Sequence, residues 1–355
     1  DMWAQDVRRG EHGELEISGI PVSALAAEFG TPVFVVSEAD FRARARDFKD
    51  SFDAAFAEVC GGVDVYYAGK AFLCTEIARW VGDEGLRLDT CSGGELAVAA
   101  RAGIPGANLG LHGNNKSDAE LNRALDMELG RIVVDSLPEL HRLGALAQDR
   151  GVRANVMLRL TPGVHAHTHE FIATAHEDQK FGLSMAADPE TGTSPAAEAV
   201  AAALENPGIN LLGLHSHIGS QIFDPAGFEE AARRLLAFLA EVRAVHGVEL
   251  PELDLGGGYG IAYTEADTPR PAAEIAQAMA AVVSSTCAEL GLAAPRISIE
   301  PGRAIVGSTT FTLYRAGTVK TVRVDTPAGE TAARRYVSVD GGMSDNARPV
   351  LYDAD

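Results

Sequence analysis

The chain has 355 residues, which at about 150 residues per domain suggests two domains, with one large α/β unit also allowed. Hydrophobic residues make up 46% and charged residues 23%, a globular mix that excludes disorder, collagen and coiled coil. Thirty basic against fifty acidic side chains give a net charge of −20, which repels phosphate backbones and anionic lipid, so the expectation is no nucleic acid and no membrane.

The charged start, DMWAQDVRRGEHGELE, does not read as a secretory signal, and no apolar run reaches the ~18 residues of a membrane span. Residues 13–38 read as strands alternating with turns, without helices. From there β-rich runs recur at 63–69, 86–90, 108–113, 131–136, 153–160, 211–219, 252–257 and 296–302. Helical stretches such as CTEIARWVGDEG, SDAELNRALDM and FEEAARRLLAFLAEVRAVHG lie between them. Ser117 and Ser136 stand where N-caps belong, and Gly85 and Gly103 where helices end. The runs are continuously apolar, as buried parallel strands are. Eight such units predict an α/β fold, a (β/α)8 TIM-type barrel over residues 41–304, in preference to a doubly wound sheet. Residues 187–198 read as a loop and 326–334 as a hairpin loop. The flanks, 1–40 and 305–355, read as two parts of one antiparallel β domain built from both chain ends. Four cysteines, Cys60, Cys74, Cys91 and Cys287, form no CxxC pair, against zinc ribbons and disulfide scaffolds and for a reducing cytoplasm.

Barrel enzymes gather their chemistry at the C-terminal strand ends. Those ends carry Lys70, Asp89, His112, Asp135, Arg159, His217, the run Gly256, Gly257, Gly258, and Glu300 with Arg303. Polar groups there would be costly in a purely structural barrel. Lys70 offers an amine that, in an apolar setting, forms Schiff bases readily; alone it could be a surface lysine. The glycine run exposes backbone N–H groups where barrels often hold phosphate, though tight turns use glycines too. Glu300 could keep a pyridinium protonated or simply pair with Arg303. His215 and His217 have a spacing that can bind metal, as do His165, His167, His169 and His176 in a polar loop. No carboxylate ligands stand at a matching strand end, so the expectation is no metal, with His217 stacking on a flat cofactor.

The motifs YYAGK at 66–70, HGNNKS at 112–117, KFG at 180–182, HSHIGSQ at 215–221, DLGGGYG at 254–260, EPGR at 300–303 and DGGMSDNARPVLY at 340–352 together resemble the fold type III pyridoxal-phosphate decarboxylases. Within them, the resemblance is to the diaminopimelate decarboxylase branch of actinobacterial type. It covers nearly the whole chain, and SDNARPVLY separates it from ornithine and arginine decarboxylases. The resemblance implies pyridoxal 5′-phosphate held by Lys70, with His217 stacked on its ring and Glu300 at the ring nitrogen. Asp89 would lie near lysine and ring, and Arg159 would support the O3′ side. Ser220, Gly256, Gly257, Gly258, Pro301 and Gly302, with Arg303 beside them, would surround the phosphate. Arg303, Arg348 and Tyr352 would bind the substrate, two arginines suiting a diacid. The implied reaction is decarboxylation of meso-2,6-diaminopimelate at its D-configured centre to L-lysine and carbon dioxide, the last step of lysine biosynthesis. A cytoplasmic homodimer with active sites shared across the interface is implied as well.

Family members carry further β-domain sequence with a Cys-Glu-Ser-Gly-Asp motif, whose cysteine donates a proton, and a later tyrosine at the phosphate. Neither occurs here, and Cys91 in TCSGGE is no equivalent. The expectation is therefore a C-terminally incomplete chain. Alternatives are a pyridoxal-phosphate racemase, disfavoured because that class places arginine rather than a carboxylate at the ring nitrogen, a decarboxylase of another basic amino acid, and a non-catalytic cofactor-binding homologue.

Overall fold

The computed structural model describes residues 2–164 and 180–354. The chain divides into two compact units. The larger contains Arg42–Ile261 and Thr268–Gly307; the smaller contains Asp1–Phe41, Ala262–Asp267 and Ser308–Asp355.

The larger unit is a closed barrel of eight parallel strands: Val63–Ala68, Arg87–Thr90, Leu109–Leu111, Arg131–Val134, Ala154–Thr161, Ile209–His215, Glu252–Asp254 and Arg296–Ile299. Each strand pairs with the next and the eighth pairs with the first. The short strand Leu183–Ser184 adds to the fifth. The strands carry a buried apolar majority because helices cover their outer faces and side chains fill the inside; Tyr66, Leu88, Leu109, Val134, Leu158, Leu214, Leu253 and Ile297 are all buried.

Local sequence starts and stops the helices. Ser92, Ser117, Ser136 and Ser194 accept, through their hydroxyls, the N–H of the residue three positions on. Glu120 returns a carboxylate to the Ser117 N–H at 2.8 Å, completing a capping box. Each such cap contributes about 1 kcal/mol. Gly85 and Gly103 follow the helix ends with φ of 74° and 80°, which glycine adopts without a Cβ clash.

Several elements differ from the sequence reading. A helix, Pro195–Glu205, begins inside the 187–198 stretch expected to be loop, because Ser194 caps it and Pro195 suits its first turn. Two long helices, Glu38–Cys60 and Ala272–Leu290, flank the barrel strands in sequence without having been read as elements. The first hides its apolar stripe among charges. Phe48, Phe52 and Phe56 recur every fourth residue and stack at 6.2 Å, with Tyr259 edge-on to Phe52 at 6.1 Å.

The smaller unit is antiparallel. Val7–Arg9, Leu15–Ile17 and Ile20–Pro21 form one sheet, Val33–Val36 pairs with Thr310–Leu313, and Ala316–Asp325 pairs with Thr331–Val339. Both chain ends therefore contribute to it. Within residues 13–38, read as helix-free, Val22–Phe29 is a helix; its Ala, Leu and Glu residues favour that state. The hairpin turn is also shorter than 326–334, since the second strand starts at Thr331. Among the described residues no helix is long and apolar enough to cross a membrane.

One ion pair crosses the barrel interior. Arg131, at the start of the fourth strand, donates from Nη1 to Asp254 Oδ2 at 2.8 Å and from Nη2 to Ser298 Oγ at 3.0 Å. Its Nε donates to the Tyr66 hydroxyl at 3.0 Å, and its guanidinium lies 4.0 Å from the Tyr66 ring centroid. Arg131, Tyr66, Asp254 and Ser298 are all buried. Removing one partner of such a pair leaves the other charge uncompensated. Arg131→Ala is therefore expected to lower unfolding free energy by about 3–5 kcal/mol, measured by urea titration; a loss under about 1 kcal/mol, the level of an exposed pair, would contradict the role assigned to this pair.

Candidate active site

A cavity of about 270 Å³ opens at the C-terminal strand ends. The first strand delivers Ala68, Gly69 and Lys70 to its wall, the second Asp89 and Cys91, the third His112, Gly113 and Asn114, the fifth Arg159, the sixth His215 and His217, and the eighth Glu300. Phe181 completes the lining. Five sequence-predicted site residues thus meet around one space: Lys70, Asp89, Arg159, His217 and Glu300.

Lys70 lies in a single 3-10 turn, Gly69–Ala71, and is exposed rather than enclosed in the apolar setting the sequence reading gave it. Arg159 stacks its guanidinium over the Phe181 ring at 4.6 Å. Asp135, also at a strand end, accepts the Gly182 N–H at 2.9 Å and anchors the KFG segment.

Ser220, Gly256, Gly257, Gly258, Pro301, Gly302 and Arg303 are not among the lining residues. They occupy three loops stitched together by backbone hydrogen bonds next to that lining. Ile222 N–H donates to Gly258 O at 2.8 Å, Glu300 N–H to Gly256 O at 2.9 Å, and Ala68 N–H to Pro301 O at 3.1 Å. Close packing explains the glycines: a Cβ on Gly256, where φ is 76°, would stand 2.2 Å from Ser216 O, and one on Gly257 2.1 Å from Glu300 O. Arg348 and Tyr352 belong to the smaller unit, on the short helix Arg348–Tyr352, where the guanidinium lies 5.4 Å from the phenol ring centroid. His165, His167, His169 and His176 lie outside the described residues.

The deepest part of the site is a cluster that sequence reasoning did not assemble. His215 Nε2 lies 2.9 Å from Glu300 Oε2, and His112 Nε2 lies 3.0 Å from Asp89 Oδ1 and 3.6 Å from Glu300 Oε2. The two imidazoles meet edge to face with centroids 5.1 Å apart. Asp254 is buried close enough for its charge and that of Glu300 to act on each other. His112 and His215 appeared in the sequence as strand-end and paired histidines; nothing in their spacing indicated that Asp89 and Glu300, from other strands, would meet them. Among the described residues, His112, His215 and Glu300 are also the group whose donor atoms lie within 4.8 Å of one another, the spacing of a hydrogen-bonded cluster and of a shared cation alike.

Burial governs the charges here. It pushes the Asp89 carboxyl up to about 8, reinforced by the charge of Asp254. It pushes Asp254 up to about 6, with Glu300 reinforcing, and raises Glu300 as well, with His112 opposing. Burial holds His112 down at about 4 and keeps His215 and His217 well below the usual imidazole range. Both Asp89 oxygens, Glu300 Oε2, His112 Nε2 and His215 Nδ1 are buried without a well-aligned hydrogen bond.

Known proteins align with this arrangement. Residues 38–307 match the family described as pyridoxal-dependent decarboxylase, pyridoxal binding domain. A diaminopimelate decarboxylase of Mycobacterium leprae is 51% identical over 100% of this chain and 72% of its own length. One from Corynebacterium efficiens is 48% identical, over 100% and 73%. The crystal structure of a diaminopimelate decarboxylase from M. jannaschii in co-complex with L-lysine superposes with a TM-score of 0.87 at 31% identity, covering 99% of this chain and 76% of that one.

The raised Asp89 carboxyl has a measurable consequence. Ionisation is disfavoured in the folded chain relative to the unfolded, so Asp89 weakens folding progressively as pH rises from about 4 to about 8. In the cofactor-free protein, Asp89→Asn should gain on the parent across that window by up to about 1.4 kcal/mol per pH unit. Urea unfolding at acidic and mildly alkaline pH checks this; a pH-independent difference would refute it.

Proposed function

The chain belongs to the pyridoxal-dependent decarboxylase family, and we infer that it is a carboxy-lyase that converts meso-2,6-diaminopimelate to L-lysine and carbon dioxide. Its cofactor is pyridoxal 5′-phosphate. The buried, poorly matched acceptors of Asp89 and Glu300 fit a flat ring that brings its own acidic N–H. The adjoining glycine run at 256–258 carries no side chains that would bar a phosphate from the backbone. Bound pyridoxal 5′-phosphate supplies an electron sink for the pair left when carbon dioxide departs.

The chain's own residues supply the rest. Lys70, an exposed amine on the cavity wall, would hold the cofactor and yield to the substrate amine. Glu300 would accept a hydrogen bond from the ring nitrogen and keep it protonated. His217 would cover one ring face; held neutral by burial, it adds no charge against the pyridinium. Asp89 would sit beside lysine and ring, and Arg159 at the O3′ side. Ser220, Gly256, Gly257, Gly258, Pro301 and Gly302 would surround the phosphate, and Arg303, Arg348 and Tyr352 would bind the distal end of the substrate. Guanidiniums in that role would suit the two carboxylates of a dicarboxylate even in an acidic protein. A homodimer with shared active sites, working in the cytoplasm, completes the proposal.

The single observation that carries this reading is the convergence of Lys70, His217 and Glu300 on one cavity. Glu300, an acid where a racemase would place an arginine, favours carbon dioxide loss over racemisation. The expected outcome is visible absorbance from bound cofactor that disappears in Lys70→Ala, with no lysine formed above background. Glu300→Gln should retain cofactor but turn over at least about tenfold more slowly, roughly 1.4 kcal/mol in barrier. Racemisation of an amino acid without carbon dioxide release from diaminopimelate would overturn the assignment.

A further inference from the structure

We infer that His215 is a positioning residue for Glu300: its neutral imidazole donates from Nε2–H to the carboxylate, and so presents Glu300 to the cofactor ring as an oriented anion. This rests on the functional reading above and extends it to a residue that touches neither substrate nor the reacting atoms.

The geometry carries the argument. His215 Nε2 hydrogen-bonds Glu300 Oε1 at 3.2 Å and lies 2.9 Å from Oε2, so the ring nitrogen faces both oxygens and limits rotation of the carboxylate. The His215 side chain is 1% exposed and that of Glu300 9%, so water does not compete. His215 Nδ1 is buried and without a hydrogen-bond partner. An imidazolium would carry an unmatched N–H at that position, whereas the neutral Nε2–H tautomer leaves only a lone pair there. His112 stands edge-on at 5.1 Å, so the two rings cannot both be cationic without mutual repulsion. The depressed basicity of both rings, caused first by burial, agrees with this.

A neutral donor matters because of what else faces Glu300. Asp89 comes from the second strand, His112 follows the third, Arg131 stands on the fourth, Arg159 on the fifth, and Asp254 ends the seventh. Lys70, Cys91, His217 and the buried Tyr259 add further charged or titratable groups around it. In such an acid-rich pocket a glutamate lacking a fixed donor would gain a proton or swing toward Asp254. A cationic histidine would hold Glu300 but cancel the negative charge that the ring nitrogen requires. His215 orients the carboxylate and leaves its charge in place.

The test reads protonation directly. In holoenzyme reconstituted with ring-15N pyridoxal phosphate, the ring nitrogen should stay protonated from roughly pH 6 to 8 in the parent protein and lose its proton within that window in His215→Phe. The same variant should lose at least about tenfold in kcat with KM for diaminopimelate within about twofold, the pattern of a lost transition-state interaction. His215→Gln, which keeps an amide donor, should recover ring protonation and much of kcat. Independently of any variant's folding, 15N-histidine spectra of the parent holoenzyme should show His215 neutral with its proton on Nε2. A cationic or Nδ1–H His215, or a His215→Phe enzyme with parental ring protonation and kcat, would overturn the inference while leaving the decarboxylase reading intact. A parent protein that binds no cofactor or forms no lysine would instead defeat the functional reading itself.

Discussion

The guanidinium of Arg131, sealed inside the barrel, is the charge on which the interior is built. Three carboxyls, Asp89, Asp254 and Glu300, are buried around it or just above it, and taking even one ionised carboxylate from water into a protein interior costs several kcal/mol. Arg131 meets that demand with a full set of partners, Asp254, Ser298 and Tyr66. Each partner comes from a different strand, so the ion pair also ties the seventh, eighth and first strands to the fourth. Because Asp254 holds Arg131 with one oxygen and the Gly256 N–H at 2.7 Å with the other, the same pair fixes where the glycine run begins.

From that base upward, the site sorts like groups into different states by environment. Burial raises all three acids, Asp89 to about 8 and Asp254 to about 6, with His215 and Arg131 opposing at Asp254, while Glu300 faces His215 Nε2. Two imidazoles kept neutral by burial separate the acids without adding positive charge. The result is a buried carboxyl at the end of the eighth strand, in a cavity whose lining also carries the exposed Lys70 amine from the neighbouring first strand. An electron-sink cofactor needs just that polarity: a carboxylate deep at its ring nitrogen and an amine near the opening.

Much of the barrel was legible because its strands are buried on both faces and read as unbroken apolar runs, punctuated by serine N-caps and glycines at helix ends. The helix Glu38–Cys60 escaped because Arg42, Arg44, Arg46, Asp47, Lys49 and Asp50 sit between its phenylalanines, and Val22–Phe29 because a short stretch next to strands carries no side-chain N-cap. In the site, residues that follow strands announced themselves as polar side chains after apolar ones, and motif resemblance assigned their roles. Arg131 and His215 did not, because Arg131 opens its strand and the importance of His215 lies in a partner on another strand. Such pairings depend on barrel closure, which no local pattern encodes.

The account stands or falls on the claim that three buried acids share one environment yet hold their protons differently. Carboxyl-carbon NMR of the cofactor-free protein, with Asp89, Asp254 and Glu300 assigned by substitution, tests it most directly. The account predicts that near neutral pH Asp89 still carries its proton, consistent with a carboxyl raised to about 8, while Glu300 is ionised. Asp89 titrating with ordinary exposed carboxylates near pH ~4, or Glu300 found protonated at neutral pH, would contradict it.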